Sequence, residues 1–306
     1  MLKIVIPIYA LAGGAASALL HTLLYYKLIY GVTAIFLPHF GLAFAGLSYG
    51  RSGLNAAMAV AIPALLLLLP WQDAIIIIVT QIIPLNLFIR CLMMAAFRAN
   101  PALNNVQLIW SPPCYAVSYV CLYGAIFYAM VIITQGALYE NMSAPMVKII
   151  QISADELQLK TLVKYVHLLV GLDFCLNLLN IMLVIFLLHG YLRRFNAIRR
   201  PVLRFASPST PPDIMLVIGL AAALIAIIGE GKIAQAGECA LLILLTPYLY
   251  SGLSHIHFTL QFTRDKKIWF TLFYIALLLF NATALLMIAV YGLATHASRF
   301  SLRLKS

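Results

Sequence analysis

KYVHLLVGLDFCLNLLNIMLVIFLLHGYL, residues 164–192, runs directly into RRFNAIRRPVLR, residues 193–204. The first part is apolar over more than the roughly 20 residues that an α-helix needs to cross a lipid bilayer. The second part carries the densest group of positive charges in the chain, and such groups mark the cytoplasmic ends of membrane helices. These topology-marking residues are Arg193, Arg194, Arg199, Arg200 and Arg204. The stretch therefore predicts a transmembrane helix whose carboxyl end lies in the cytoplasm.

Asp173 is the carboxylate that interrupts this apolar helix near its middle. Asn177 and Asn180 follow at i+4 and i+7, so the three side chains share one helical face. Charged groups inside a membrane are costly and by default mark functional sites. The alternative is that the three residues only hydrogen-bond to neighbouring helices as structural contacts. The pattern leaves both interpretations open, with structural contacts the favoured one.

The composition of the whole chain points to the same environment. Hydrophobic residues make up 64% of the sequence, charged residues 9%, and the mean hydropathy is +1.00. Soluble domains carry roughly 45–50% apolar and about 25% charged residues. We therefore predict an all-α polytopic integral membrane protein, a single transmembrane helical bundle over residues 1–306 without a soluble domain. The net charge is +11, and the basic residues that produce it lie between apolar segments. This position indicates contact with membrane lipid and not with nucleic acid.

The apolar segments number eight or nine, because residues 54–69 are short for a straight crossing and are also compatible with a re-entrant element. We expect the first segment to be a retained helix and not a cleaved signal peptide. Ser153 and Glu156 match a capping box, which predicts that a helix begins there and leads into the Asp173 helix. Residues 229–238 are expected to form a turn, and the tail after residue 295 to lie along the membrane surface. The predicted spans are 4–26, 28–49, 54–69, 74–97, 115–139, 162–190, 214–229, 239–262 and 268–294.

The distribution of Lys and Arg predicts the orientation of the spans. With the arginine cluster inside, eleven positive residues fall in the cytoplasm, eight fall outside, and Arg90 lies within a span. Arg90 follows Asn86 at i+4. It is either a functional residue buried in the membrane or a side chain that reaches the lipid headgroups near Arg98.

Four further polar residues lie at a depth similar to that of Asp173, and together they predict a polar cavity in the outer half of the membrane. They are His167, Gln135, Tyr139 and His21. The candidate ligand-binding residues are accordingly Asp173, Asn177, Asn180, His167, Gln135 and Arg90.

No motif in the chain predicts a cofactor, a metal or a catalytic site. The five cysteines lie in or beside apolar segments without a CxxC pair, which favours buried structural thiols. His255 and His257 are about 200° apart on a helix, and His39, His189 and His296 are isolated near segment ends. An intramembrane acid–base enzyme built on Asp173 and a histidine stays an alternative, but no second catalytic group is identifiable.

Small residues at four-residue spacing on the first helix allow another helix to approach closely. Gly14 belongs to one such series with Ala10 and Ala18, and Ala12 pairs with Ala16. These residues serve either packing within the bundle or docking of a partner subunit.

The carboxyl-terminal half of the chain resembles a known family. An RRP turn precedes LLILLTPYLYSGLSHIHFTLQ, residues 241–261, and the last span closes with YGLATHASRFSLRL, residues 291–304. This order resembles the YybS-like family of predicted bacterial membrane proteins, in which an aromatic residue, Gly-Leu and His recur in the eighth span. The matching positions here are Tyr250, Gly252, Leu253, His257, Gly292, Leu293, Phe300 and Arg303. Thr295 and His296 stand where that family carries an acid.

The family is similar in character to the substrate-binding membrane subunits of energy-coupling-factor transporters. The resemblance implies a small-solute-binding or transport subunit of the bacterial inner membrane, with Asp173 in the pocket and Ala12 and Ala16 as the docking pair. A separate ATPase and other membrane subunits would then be partners, since the chain has no nucleotide-binding motif. The alternative is a membrane scaffold or an assembly subunit of a larger complex.

Overall fold

The computed structural model of the chain describes residues 8–28, 32–100, 105–110, 113–153, 164–195 and 209–304. The described chain is helical except for one two-stranded hairpin. The first elements are α1 (Ile8–Tyr25), α2 (Val32–Leu68), α3 (Trp71–Leu92), β1 (Ala95–Asn100) and β2 (Asn105–Trp110). They are followed by α4 (Pro113–Thr134), α5 (Ala137–Ser153), α6 (Val166–Arg194), α7 (Ile214–Ile228), α8 (Lys232–Leu260) and α9 (Lys266–Leu304). Gly50 interrupts α2, so we call residues 32–49 α2a and residues 51–68 α2b.

The described chain forms two compact units. The amino-terminal unit comprises Met1–Ser111 and Phe174–Leu203, and the carboxyl-terminal unit comprises Pro112–Asp173 and Arg204–Ser306. Helix α6 contributes to both units. Its residues up to Asp173 belong to the carboxyl-terminal unit, and those from Phe174 onward belong to the amino-terminal unit.

Helix α2 reverses its direction at Gly50, whose φ of 70° and ψ of −154° are not helical. In a straight helix, Gly41 and Ala57 would be about 24 Å apart at 1.5 Å per residue. Instead, Gly13 packs against the backbone of Gly41 while the next residue of α1, Gly14, packs against the backbone of Ala57. The two halves of α2 therefore lie side by side as a helical hairpin. Only glycine readily adopts the backbone conformation found at Gly50.

The contacts of α1 give the directions of both halves. Ser17 Oγ donates to the Pro38 carbonyl oxygen at 2.6 Å, so α2a runs back along α1 from the pair Gly13–Gly41. Tyr26 Oη donates to the Leu68 carbonyl oxygen at 3.3 Å, twelve residues beyond Gly14, so α2b runs parallel to α1. The chain thus reverses at the Gly50–Gly53 stretch, which separates the two segments that the sequence predicted.

Helix α3 completes an up-down-up-down arrangement of four segments. Tyr25 Oη donates to Asp73 Oδ2 at 2.8 Å where α3 begins, and Arg90 Nη2 donates to Asn55 Oδ1 at 2.5 Å where α3 ends. Helix α3 is therefore antiparallel to both α1 and α2b. We call the two ends of this bundle the Tyr25 end and the Arg90 end, and Gly50 lies at the latter.

Small residues determine how closely α1 approaches its neighbours. A Cβ atom on Gly14 would lie 2.1 Å from the Ala57 carbonyl oxygen, and one on Gly13 would lie 2.6 Å from that of Gly41. Ala12 and Ala16 are exposed on the other side of α1. Gly14 thus packs within the bundle, whereas the predicted docking pair faces outward.

In the carboxyl-terminal unit, α8 packs against α4, α7 and α9. Helices α8 and α9 are antiparallel, because Gly252 packs against Ile288 and Gly292 packs against Tyr248. A Cβ atom on Gly292 would lie 2.0 Å from the Tyr248 carbonyl oxygen, so the two helices are in backbone contact there.

Several predicted boundaries are wrong. Ser153 is the last described residue of helix α5, and the remainder of its proposed capping box lies outside the described residues, so that prediction stays untested. Helix α8 begins at Lys232, because only residues 229–231 form the predicted turn. The tail continues α9 as regular helix to Leu304.

The predicted span 74–97 ends too late, because helix α3 stops at Leu92 and β1 follows. β1 pairs antiparallel with β2, with Ala95 opposite Trp110 and Asn100 opposite Asn105. The run NVQLIW, residues 105–110, alternates polar and apolar residues over most of its length and favours a strand.

Six of the described helices are long and apolar enough to cross a membrane. They are Ile8–Tyr25, Phe36–Leu68, Trp71–Leu92, Pro113–Thr134, Val166–Arg194 and Lys232–Leu260. Phe36–Leu68 contains the reversal at Gly50 and so covers two predicted spans. Helix α7 has only 15 residues. The predicted helical character is confirmed, and the predicted count of eight or nine spans is not.

Candidate functional site

A row of polar side chains lies on one face of α8. Tyr248, Ser251 and His255 occupy positions i, i+3 and i+7 of this largely apolar helix, so they follow one another along a single stripe. Tyr248 is 3% exposed and Ser251 is fully buried. The Tyr248 ring lies 5.8 Å from the ring of His296 on α9, which is 1% exposed. We call these four residues, with Asp213, the α8–α9 polar site.

Asp213 orients His296. The Nε2 atom of His296 lies 3.0 Å from Asp213 Oδ1, just before the start of α7. An ionised carboxylate can only accept a hydrogen bond, so His296 Nε2 carries the hydrogen. Sequence analysis expected His296 to be isolated near a segment end. Asp213 makes no capping hydrogen bond to α7 and pairs with His296 instead.

The backbone orients His255 in the same way. Its Nδ1 lies 2.8 Å from the Ser251 carbonyl oxygen, which can only accept, so Nδ1 carries the hydrogen. In the neutral ring the other nitrogen is then an acceptor. Four buried atoms of the site have no hydrogen-bond partner among the described residues: Tyr248 Oη, Ser251 Oγ, His255 Nε2 and His296 Nδ1.

These four atoms define what the site can bind. In their neutral forms the two imidazoles present acceptor nitrogens, and two hydroxyl groups can donate or accept. A buried polar group without a partner costs about 1–3 kcal/mol. Such a row is therefore expected where a polar species completes the hydrogen bonds. A small solute with N–H or O–H donors fits this arrangement.

A second histidine–carboxylate pair joins α6 to α8. His167 is 3% exposed, and its Nε2 lies 2.7 Å from Glu238 Oε2. One turn later, Gly171 packs against Cys239, so this face of α6 lies on α8. Asp173 is two residues beyond Gly171, or about 200° around the helix, and hence points away from α8. His167 and Asp173 therefore do not face the same neighbour.

The other predicted ligand-binding residues lie on several different elements. Asp173, Asn177 and Asn180 are half-buried on one face of α6, as their spacing predicted. Gln135 is half-buried in the break between α4 and α5, with a φ of 42°. Their role in ligand binding stays a prediction.

Arg90 is exposed near the end of α3. Its Nε donates to Asn86 Oδ1 at 2.5 Å, which confirms the predicted i, i+4 neighbours, and its Nη2 donates to Asn55. Arg193 and Arg194 are exposed in the last turn of α6. Arg199, Arg200 and Arg204 lie outside the described residues.

A third polar cluster lies inside the amino-terminal bundle. His21 is 2% exposed and His39 is 1% exposed, and their rings meet edge to face at 5.7 Å. His21 Nε2 lies 3.0 Å from Gln81 of α3, and its Nδ1 lies 2.8 Å from the Ser17 carbonyl oxygen. Gln81 belongs to a π-helical turn, Ile78–Ile82, which interrupts the regular α3 helix. Such turns re-aim side chains and are frequent at functional sites.

Replacing Gln81 by Leu is expected to lower the free energy of unfolding by about 1–3 kcal/mol, because it leaves the Nε2 atom of the buried His21 without a partner. Replacing both partners, as in His21→Phe with Gln81→Leu, should cost less than the sum of the single changes. Thermal unfolding of the two single variants and the double variant in detergent measures this coupling. Additive losses would show that His21 and Gln81 do not interact.

Sequence analysis missed the α8–α9 polar site because its partners are far apart in the chain. Asp213 and His296 are separated by 83 residues. The signal that was available is the spacing of Tyr248, Ser251 and His255, which places three polar residues on one face of an apolar helix.

The expectation of buried structural thiols is consistent with the structure, in which none of the five cysteines forms a disulfide and four of them are buried.

The described chain is thus a helical protein with six helices of membrane-spanning length and two histidine–carboxylate pairs. Over the described residues, no group of three or more His, Cys, Asp and Glu side chains could hold a metal ion. Neither a protein-family model, nor a curated protein, nor a solved structure matches the chain.

Proposed function

We propose that this chain is a multi-pass protein of the bacterial inner membrane that binds or translocates a small polar solute. It would act as one subunit of a larger membrane complex, without chemical change to the solute. The resemblance to the membrane subunits of energy-coupling-factor transporters favours a separate ATPase as the source of energy. The exposed Ala12 and Ala16 of α1 are the proposed docking residues for a partner subunit.

The membrane setting is supported by the six long apolar helices and by the composition. Large apolar side chains cover the outward faces of these helices, such as Leu67 at 85% and Leu187 at 58% exposure. In water such surfaces would drive aggregation, whereas in a bilayer they meet lipid chains.

The single observation that carries the solute-binding role is the row of buried atoms without partners in the α8–α9 polar site. A hydrocarbon environment cannot satisfy these atoms, since it offers no hydrogen bonds. A polar species that enters between α8 and α9 would satisfy them. Because both histidines present acceptor nitrogens in their neutral forms, we propose a solute with hydrogen-bond donors.

The rival function is a membrane scaffold or assembly subunit. In that case the histidine–carboxylate pairs and the face formed by Asp173, Asn177 and Asn180 would only connect helices. The two functions differ in whether water and solutes reach the α8–α9 polar site, and this difference can be measured.

Ser251→Cys, in a variant whose five native cysteines are replaced by Ala or Ser, should react with a charged methanethiosulfonate reagent in proteoliposomes. We expect labelling because the site must admit polar solutes. The matched control is Leu244→Cys in the same background, which places a thiol at an apolar position of α8 that is 2% exposed. Mass spectrometry measures the fraction labelled, with about tenfold faster reaction expected at residue 251.

Equal and slow labelling of both thiols in a folded, monodisperse sample would contradict solute access and favour the scaffold. A chain that is monodisperse in buffer without detergent would contradict the membrane setting itself.

A further inference from the structure

The Arg90 end of the amino-terminal bundle holds a second kind of site. Arg90 is fixed by two amide oxygens, those of Asn86 and Asn55, each at 2.5 Å. Asn86 is itself 8% exposed and also contacts the Met58 sulfur through its amide nitrogen. The guanidinium group is therefore held in one orientation, and its remaining N–H donors stay exposed with the side chain.

Arg51 lies at the same end of the bundle, next to Gly50. It precedes Asn55 by four residues on α2b, so both side chains lie on one face of that helix, about 6 Å apart along its axis. Arg51 is also within electrostatic range of Cys91, the residue that follows Arg90. Two guanidinium groups thus converge on the same end of the bundle, and both are exposed.

No carboxylate of the amino-terminal unit can neutralise these arginines. The unit contains nine Lys and Arg residues and one acid, Asp73. Asp73 accepts a hydrogen bond from Tyr25 at the opposite end of the bundle. Among the described residues, the ion pairs are the two histidine–carboxylate pairs of the other unit. The counter-charge for Arg51 and Arg90 must come from outside the unit.

We propose that Arg51 and Arg90, oriented by Asn55 and Asn86, bind the phosphate group of an anionic phospholipid. Arg suits this role because its planar N–H donors match phosphate oxygens in pairs. Met94, one turn beyond Arg90, is 49% exposed and provides apolar surface where an acyl chain would begin. Basic groups at the cytoplasmic ends of membrane helices are typical headgroup sites. The lipid assignment rests on the proposed membrane setting, but the phosphate chemistry depends only on the arginine pair.

The test compares lipid binding by the full chain and its variants in detergent. Native mass spectrometry counts bound phosphatidylglycerol, and thermal unfolding measures the stabilisation by phosphatidylglycerol, phosphatidylcholine and inorganic phosphate. For Arg90→Gln and Arg51→Gln we expect about tenfold weaker phosphatidylglycerol binding, equivalent to about 1.4 kcal/mol each. Asn55→Ala retains both charges but loses the orientation of Arg90, so its affinity should fall less. Arg264→Gln, an exposed arginine between α8 and α9, is the matched control and should bind as the unchanged chain does.

Three outcomes would overturn the site. The first is equal phosphatidylglycerol binding by Arg90→Gln and Arg264→Gln. The second is that phosphatidylcholine stabilises the chain as much as phosphatidylglycerol does, which would show that the net charge of the lipid plays no role. The third is that inorganic phosphate stabilises the chain as much as phosphatidylglycerol does, which would mean that the arginines bind a free anion and not a lipid. None of these bears on labelling at Ser251, so this site and the proposed solute site can fail separately.

Discussion

Gly292→Ala should destabilise the carboxyl-terminal unit strongly, because the added methyl group would lie 2.0 Å from the Tyr248 carbonyl oxygen and 2.8 Å from the Gly252 nitrogen. Both are backbone atoms, so no side-chain rotation can relieve the overlap and the two helices must separate. Overpacking of this kind costs about 1–3 kcal/mol or more. We expect a loss near the upper end, about 3 kcal/mol, which lowers Tm by about 6–12 °C. Thermal unfolding in detergent measures it.

The matched control for this prediction is Gly219→Ala in α7. A Cβ atom at Gly219 would meet no atom within 4 Å. The change should leave stability unaltered or raise it by up to about 1 kcal/mol, since Ala favours helix over Gly. Similar Tm values for the two variants would show that α8 and α9 are not in backbone contact at Gly292. Because Tyr248 and His296 flank this contact, separation of the helices should also alter labelling at Ser251.

Gly50→Ala is the second change with a large expected effect. The conformation at Gly50, with φ 70° and ψ −154°, is one that a residue with a Cβ atom adopts only at a cost of about 1–3 kcal/mol. If the chain avoided this cost by continuing α2 as a straight helix, 37 residues would extend about 55 Å, against a hydrocarbon thickness of about 30 Å. The packing of α1 on both Gly41 and Ala57 would then be lost.

We therefore expect Gly50→Ala to reduce the yield of monodisperse protein after detergent extraction and to lower Tm by at least about 5 °C. Size-exclusion chromatography and thermal unfolding give these two quantities. Gly190→Ala is the control, because a Cβ atom at this position in α6 meets open space. An unchanged elution profile and Tm for Gly50→Ala would mean that α2 does not depend on the reversal.

Some features of the fold could be predicted because they depend on neighbouring residues. The length and apolarity of the segments predicted most of the long helices. The Gly50–Gly53 stretch indicated an interruption between two segments, and the structure reverses there. The spacing of Asn86 and Arg90 predicted their contact, since residues four apart on a helix are neighbours.

Other features could not be predicted, because competing local patterns were equally plausible. Ser153 and Glu156 match a capping box, while Ser153 is also the last described residue of a helix that begins at Ala137. Strand β2 lies in the polar connection before Pro113, and its described partner is β1. Each strand is supported by the other, so neither was evident alone. Asp213 has the position of a helix cap, but its carboxylate accepts a hydrogen bond from His296, 83 residues away in the chain.

The sequence by itself determined the helical class and the apolar outward surfaces, because both follow from composition and from spacing within single helices. Only the tertiary structure decided which polar groups meet, as in the pairs His296–Asp213, His167–Glu238 and His21–Gln81. The reason is physical: a helix sets the face on which a residue lies, whereas the neighbour of that face depends on backbone contacts at glycines such as Gly14 and Gly292.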